Sequence, residues 1–192
     1  MLEEFLQYIS VERRYSPRTC AIYREALEAF FGYAYPEGGE LTSRQQIDAM
    51  TFSTIRGFVA FSMDAGLSPR TVNLRLSALS SCCSWLVRRS LLQSNPVRRI
   101  ARPKESHRLP EFYSELSLEH FFDSKGLDGS GRACSEMSFH DYRNGVMMLV
   151  LYATGMRRSE IAGLCRNDFD SGRGVFTVLG KGDKMREIPV PA

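Results

Sequence analysis

Lysine is scarce in the first half of this 192-residue sequence. Of the fifteen basic residues before position 111, only Lys104 is a lysine. Long apolar runs are missing as well. The longest, from Val146 to Ala153, has eight residues, whereas a membrane-spanning helix needs about twenty. No membrane span is expected. The opening MLEEFLQYIS carries acidic residues where a secretory leader is basic, so the expectation is a cytoplasmic protein. Cysteines stand at 20, 82, 83, 134 and 165, without the close pairing of a zinc site, and read as reduced core residues. The three histidines, His107, His120 and His140, are scattered, and neither a metal nor any other cofactor is expected. With 43% hydrophobic and 24% charged residues the chain is an ordinary folding sequence, which excludes disorder and collagen.

Charge is present but unevenly placed. Residues 1–110 hold 15 Lys+Arg against 10 Asp+Glu, while residues 111–192 hold 10 against 12. Within the first half, Arg88, Arg89, Arg98, Arg99, Arg102, Lys104 and Arg108 are opposed only by Glu105. Guanidinium forks match phosphate oxygens two at a time, so an arginine-rich stretch suits a polyanion. On charge alone, a solvated face with local ion pairs is an equally good reading.

The apolar spacing is helical through most of this half. Leu2, Phe5, Leu6 and Ile9 make one stripe; Tyr23, Ala26, Leu27, Phe30, Phe31 and Ala34 make a second. Ile55, Phe58, Val59 and Ser62 form a third, stopped at Gly66, and Val72, Leu76, Leu79, Cys83 and Leu86 form the fourth and longest. Four such helices bury their stripes only against one another, which predicts a helical bundle over residues 1–93. The tetrapeptide Ser-Pro-Arg-Thr opens two of them, at Ser16 and at Ser68. Serine suits an N-cap and proline the first turn. Arg18 and Arg70 remain unexplained by capping, because a cation is unfavourable at that end of a helix.

Prolines at 96, 103 and 110, with basic residues between them, mark residues 94–111 as a linker. In 112–192 a helix is expected from near Ser117. Another is capped by Ser138 and Asp141, runs through Phe139, Tyr142, Val146, Leu149, Val150 and Ala153, and ends at Gly155. After a short helix through Ile161 and Leu164 the period falls to two. Val175–Leu179 and Met185–Val190 then flank Gly180-Lys-Gly-Asp-Lys184, a hairpin with lysine in its turn. Two strands alone are marginal, so this part of the fold reads as unfinished.

Tyr152-Ala-Thr-Gly-Met-Arg-Arg-Ser-Glu160 followed by Gly180-Lys-Gly-Asp-Lys-Met-Arg186 closely resembles the tyrosine recombinases, the phage-integrase and Xer-type family. Ser68-Pro-Arg-Thr-Val-Asn-Leu-Arg-Leu-Ser-Ala-Leu79, Asn95-Pro96, Pro103-Lys104 and Leu109-Pro110 resemble that family's core-binding domain and linker. The resemblance implies a mainly α fold: a four-helix SAM-like bundle, a basic linker, and the start of an α+β catalytic domain of helices plus a β-hairpin. It implies cleavage and rejoining of double-stranded DNA through a phosphotyrosine, by protomers acting together as a tetramer. Arg157 would stabilise the charge that builds on phosphorus-bound oxygens, and Lys181 would protonate the departing 5′ oxygen. Glu160, one turn from Arg157, would orient it or support the site. By position, Arg18, Arg70, Arg75, Arg102 and Lys104 are the candidate DNA contacts.

The family's His-x-x-Arg motif and its C-terminal tyrosine nucleophile have no counterpart here. Tyr152 is the last tyrosine, and its place in an apolar run suggests that it fills a helix core. The expectation is therefore a DNA-binding chain, monomeric in solution, that forms no covalent adduct. The alternative is a naturally truncated, non-catalytic regulator of recombination. A third possibility, from a different class, is a helical module whose arginines pair with an acidic protein.

Overall fold

The computed structural model describes residues 1–106, 109, 111–124, 138–180 and 184–190. The chain divides into two compact units, Met1–Arg108 and Leu109–Ala192.

In the first unit α1 (Leu2–Gln7) runs into a π-helical turn, Tyr8–Glu12. It is followed by α2 (Pro17–Ala34), α3 (Ser43–Asp48), α4 (Phe52–Asp64), α5 (Pro69–Arg88) and a 3-10 turn, Pro96–Arg99. The apolar stripes meet as their spacing predicts. Phe5, Ile9, Leu27, Phe30, Ile55, Leu76, Leu79 and Leu86 are fully buried in one core with Trp85 at its side. Phe30 meets the Phe58 ring edge-on at 5.4 Å. Cys82 and Cys83 lie in this core, and burial pushes both thiols up, Cys83 to about 12. Cys165, expected to be a core residue, is exposed, and Cys134 lies outside the described residues. Helix α3 was not among the expected elements. Its sequence, Ser-Arg-Gln-Gln-Ile-Asp, has no apolar stripe, and Thr42 and Gln45 define it by reciprocal capping.

One starting device recurs. Ser16 and Ser68 each accept a hydrogen bond from the backbone N–H of the threonine three residues on, both at 3.2 Å. Thr51 caps α4 in the same way, and Ser114 caps the later helix Glu115–Ser124. Two of the helices also stop alike. Leu67 N–H donates to Ser62 O past left-handed Gly66, and Leu91 N–H donates to Leu86 O past left-handed Ser90.

The segment expected as a linker is laced onto α5 as far as Glu105. The Asn95 amide donates to Ser80 O and to Ser84 Oγ at 2.9 and 2.8 Å, and Val97 beside it is buried. Farther on, the Asn73 amide donates to Pro103 O and to Glu105 Oε1.

The second unit holds α6 (Glu115–Ser124), α7 (Phe139–Thr154), α8 (Arg158–Ala162), a 3-10 turn (Arg166–Asp168) and three strands. Strands β1 (Phe169–Asp170), β2 (Val175–Leu179) and β3 (Met185–Pro189) form an antiparallel sheet in the order β1-β2-β3, with Val178 opposite Arg186. The expected hairpin thus has a third, two-residue strand beside it, too short to show any alternation. Met156, Val178 and Ile188 form a small core against Val150 and Leu151 of α7. Helix α7 is apolar around its whole circumference from Val146 to Ala153, so one face covers this core and the rest points outward. Tyr152, expected to be interior, is 58% exposed beside Phe122, and Phe139, Tyr142 and Met148 are exposed too.

The two left-handed stops predict opposite responses. Ser90→Gly removes the backbone strain of a side chain at φ 58 and should raise stability by roughly 0.5 kcal/mol, the relief being partly offset by glycine's greater unfolded freedom. Gly66→Ala, at φ 80, should lower stability by about 1 kcal/mol. Trp85 is the single tryptophan, so its fluorescence during urea unfolding follows the first unit alone.

Candidate functional site

Helix α7 ends at Gly155, which takes a left-handed conformation at φ 63 while its N–H donates to Leu151 O. Glycine adopts that angle without strain, and the chain can therefore bend sharply there. Met156 is buried beyond the bend, and Arg157 follows in extended backbone as the N-cap of α8. Arginine has no side-chain acceptor to cap a helix. Glu160 fulfils the reciprocal half of the cap, its Oε2 accepting the Arg157 N–H at 2.7 Å.

The same carboxylate has two further donors. Oε1 accepts from Arg157 Nη1 at 2.8 Å, and Oε2 accepts from Arg186 Nη2 of β3 at 2.9 Å. The side chain of Glu160 is 2% exposed against 59% for Arg157 and 44% for Arg186. A buried carboxylate is therefore clasped by two guanidiniums whose outer faces are open. The Arg157 backbone N–H holds the carboxyl below its usual range; burial opposes this, and the two guanidiniums add to the lowering.

The hairpin turn begins against this cluster. Gly180 N–H donates to Lys184 O at 2.7 Å, and a Cβ on Gly180 would stand 3.2 Å from that oxygen and 3.8 Å from Glu160 Oε1. Residues on either side of the turn are thus placed near Glu160, while Lys181 itself lies outside the described residues. Arg157 and Glu160 are in direct contact, as their i,i+3 spacing allows. Arg186 was not among the expected site residues. Its signal was available in the strand alternation: Arg186 is two positions from the buried Ile188, and a charge on a sheet's covered face needs a partner.

The five candidate DNA contacts belong to the first unit. Arg18 and Arg70 are exposed in the first turns of α2 and α5, and Lys104 is exposed on the segment that follows α5. Arg75 is half-buried, with its guanidinium 5.7 Å from the centre of the Phe58 ring. Arg102 Nη1 donates to Asn73 O and Ser77 Oγ at 3.3 and 3.2 Å. Among the described residues no hydrogen bond or ion pair joins any two of the five. No group of three His, Cys, Asp or Glu side chains among the described residues stands where it would hold a metal ion.

Comparison with known proteins covers both units. The family model of the phage integrase N-terminal SAM-like domain matches residues 2–90, and that of the phage integrase family matches residues 131–192. The chain belongs to the phage integrase family. It is 34% identical over 189 residues to tyrosine recombinase XerC of Shigella flexneri serotype 5b, a match that covers 98% of this chain and 58% of that protein. To the XerC of Chlorobaculum parvum it is 28% identical over 197 residues, covering 98% and 59%. The chain thus spans a little over half the length of these relatives. Among solved structures, the Tn1549 transposon integrase in complex with transposon right end DNA is similar at TM-score 0.64 and 16% identity, over 99% of this chain and 61% of that one. A lambda integrase bound to a COC′ core site gives 0.63 at 16% identity, over 98% and 47%. At these identities the likeness is one of fold.

The three donors on Glu160 give a pH signature. Its folded pKa lies below the unfolded value near 4.5, so its stabilising effect is complete above that value and disappears as pH falls through the folded pKa. Glu160→Gln should therefore lower the melting temperature most at neutral pH, and the gap to the parent should narrow below about pH 4. Circular dichroism melts between pH 3 and 7 measure it. A gap that widens in acid contradicts the assignment.

Proposed function

We propose that this chain binds duplex DNA and presents part of the phosphoryl-transfer centre of a tyrosine-type site-specific recombinase. The observation that carries the reading is the Arg157–Glu160–Arg186 cluster, seated at the foot of the β2–β3 hairpin, between whose strands Lys181 stands in the sequence. In transesterification at a phosphodiester, charge accumulates on the non-bridging oxygens, and donors fixed before the reaction stabilise it without reorganising. Glu160 holds one nitrogen of Arg157 and leaves the rest of the fork exposed for those oxygens. Glu160 acts here as a positioning residue, and Lys181 is the proposed donor of a proton to the departing 5′ oxygen. This division of labour needs no metal or cofactor.

Residues 1–93 would form one jaw on the duplex, 94–111 the basic crossing segment, and 112–192 the leading part of the catalytic domain. Arg18, Arg70, Arg75, Arg102 and Lys104 are the proposed contacts, mostly to phosphate. Other protomers on DNA would complete the working assembly. None of the eight tyrosines in these 192 residues follows Arg157, so this polypeptide alone is proposed to bind without cleaving.

Fluorescence anisotropy with a labelled duplex, between about 50 and 200 mM salt, tests the reading. Affinity should fall steeply with salt, each phosphate contact adding about 0.9 to the slope of log K against log salt. Replacing Arg18 and Arg70 by alanine should weaken binding to every sequence and flatten that slope by roughly two. Failure of the parent chain to bind any duplex overturns the proposal.

A further inference from the structure

The first unit carries a recess of about 380 Å³ on the polar side of α5. Three guanidiniums line it, those of Arg13, Arg88 and Arg102, together with Tyr8 and the α5 serines that include Ser77 and Ser81. Positions 77, 81, 84 and 88 recur at helical spacing along one side of α5, while Leu76, Leu79, Cys83 and Leu86 are buried in the core. Serines on that side keep the recess open where longer side chains would fill it.

The three charges lack compensation. Arg88 Nη2 donates to Tyr8 Oη at 2.6 Å, with its guanidinium 5.2 Å from the same ring centre. Arg102 is held by Asn73 O and Ser77 Oγ. All these partners are neutral. No carboxylate stands among the lining residues, and none of the described residues forms an ion pair with Arg13, Arg88 or Arg102. Elsewhere in the same unit Arg24, Arg44 and Arg89 are paired, with Glu3, Asp48 and Glu4. Leaving three guanidiniums on one recess without a counter-ion is electrostatically unfavourable unless an anion sits there. A second recess, of about 540 Å³, shares Ser84 and Arg88 with the first and adds Arg98 and Arg99, so the basic track continues past the end of α5.

We propose that this recess seats a backbone phosphate of duplex DNA, with Arg13, Arg88 and Arg102 converging on its non-bridging oxygens and the strand passing on toward Arg98 and Arg99. Neutral anchors on Arg88 and Arg102 leave their remaining N–H groups free to bind the phosphate bidentately. The inference rests on the DNA-binding reading above, in which Arg102 is already a contact, and adds Arg13 and Arg88 to it as partners of Arg102 on one phosphate.

Two substitutions test it in the full chain. The Arg13 side chain has no hydrogen bond among the described residues, so Arg13→Ala leaves the fold intact, and Ser81→Glu sets a negative charge on the recess wall. Each should weaken duplex binding roughly tenfold, the worth of a charge-assisted hydrogen bond. Arg13→Ala should also flatten the salt slope by about one. Arg44→Ala, whose side chain is already paired, should change neither. Trp85 fluorescence during urea unfolding reports whether each variant stays folded. If the parent binds duplex and both variants match its affinity and slope, the recess is not a phosphate seat, although the DNA-binding reading survives. If the parent binds no duplex, both proposals fall. If inorganic phosphate shifts the amide resonances of Ser77 and Ser81 in the parent while both variants keep its duplex affinity, the recess takes small anions only and this inference is overturned.

Discussion

A single buried carboxylate governs the second unit. Glu160 is almost without solvent, and a charge in that position is tolerated only when its oxygens are occupied by donors. Three are supplied, the backbone and side chain of Arg157 and the side chain of Arg186. The bend after Gly155, the start of α8 and strand β3 are thereby tied to one point. The direction of Arg157 follows from this arrangement. Its fork is fixed from behind and open in front, as the proposed role on a transient negative charge requires. Removing either partner leaves the buried charge undersatisfied, so the three residues behave as one unit.

Arginine serves differently in the first unit. There the fold is held by the apolar core around Phe30, Leu27, Leu79 and Leu86, and guanidiniums lie over it on aromatic rings, Arg89 being paired with Glu4 as well. Arg75 sits over Phe58, Arg88 over Tyr8, Arg89 over Trp85 and Arg99 over Phe52. Stacking on a ring fixes the plane of the group but leaves its charge in place. A positive surface results whose cations are ordered in advance of the proposed binding to DNA. Ordering long side chains in advance lowers the entropy lost on binding.

Much of this was legible in the residues, for definite reasons. Helices α2, α4 and α5 carry both a continuous stripe and a hydroxyl cap, so local and long-range signals agree. The Arg157–Glu160 contact follows from i,i+3 spacing. Other features depend on partners far along the chain. Helix α3 and strand β1 are too short for any period, and Asn95 anchors the segment after α5 only because Ser80 and Ser84 stand opposite it. Arg186 meets Glu160 across 26 positions, so its place at the end of the Gly180–Arg186 motif and the alternation of β3 hinted at it without naming its partner. Tyr152 and Cys165 were misread as interior because apolar character marks a candidate for burial, whereas packing decides which face is covered.

Amide hydrogen exchange of the chain and its Glu160→Ala variant addresses the central claim directly. If one carboxylate joins the α8 start to the hairpin, the Arg157 amide and the amides that pair β2 with β3 will lose protection together, and those of α5 will not change. Faster exchange at Arg157 alone, with the β2–β3 ladder as protected as before, would show that the two motifs are held independently and would contradict the account.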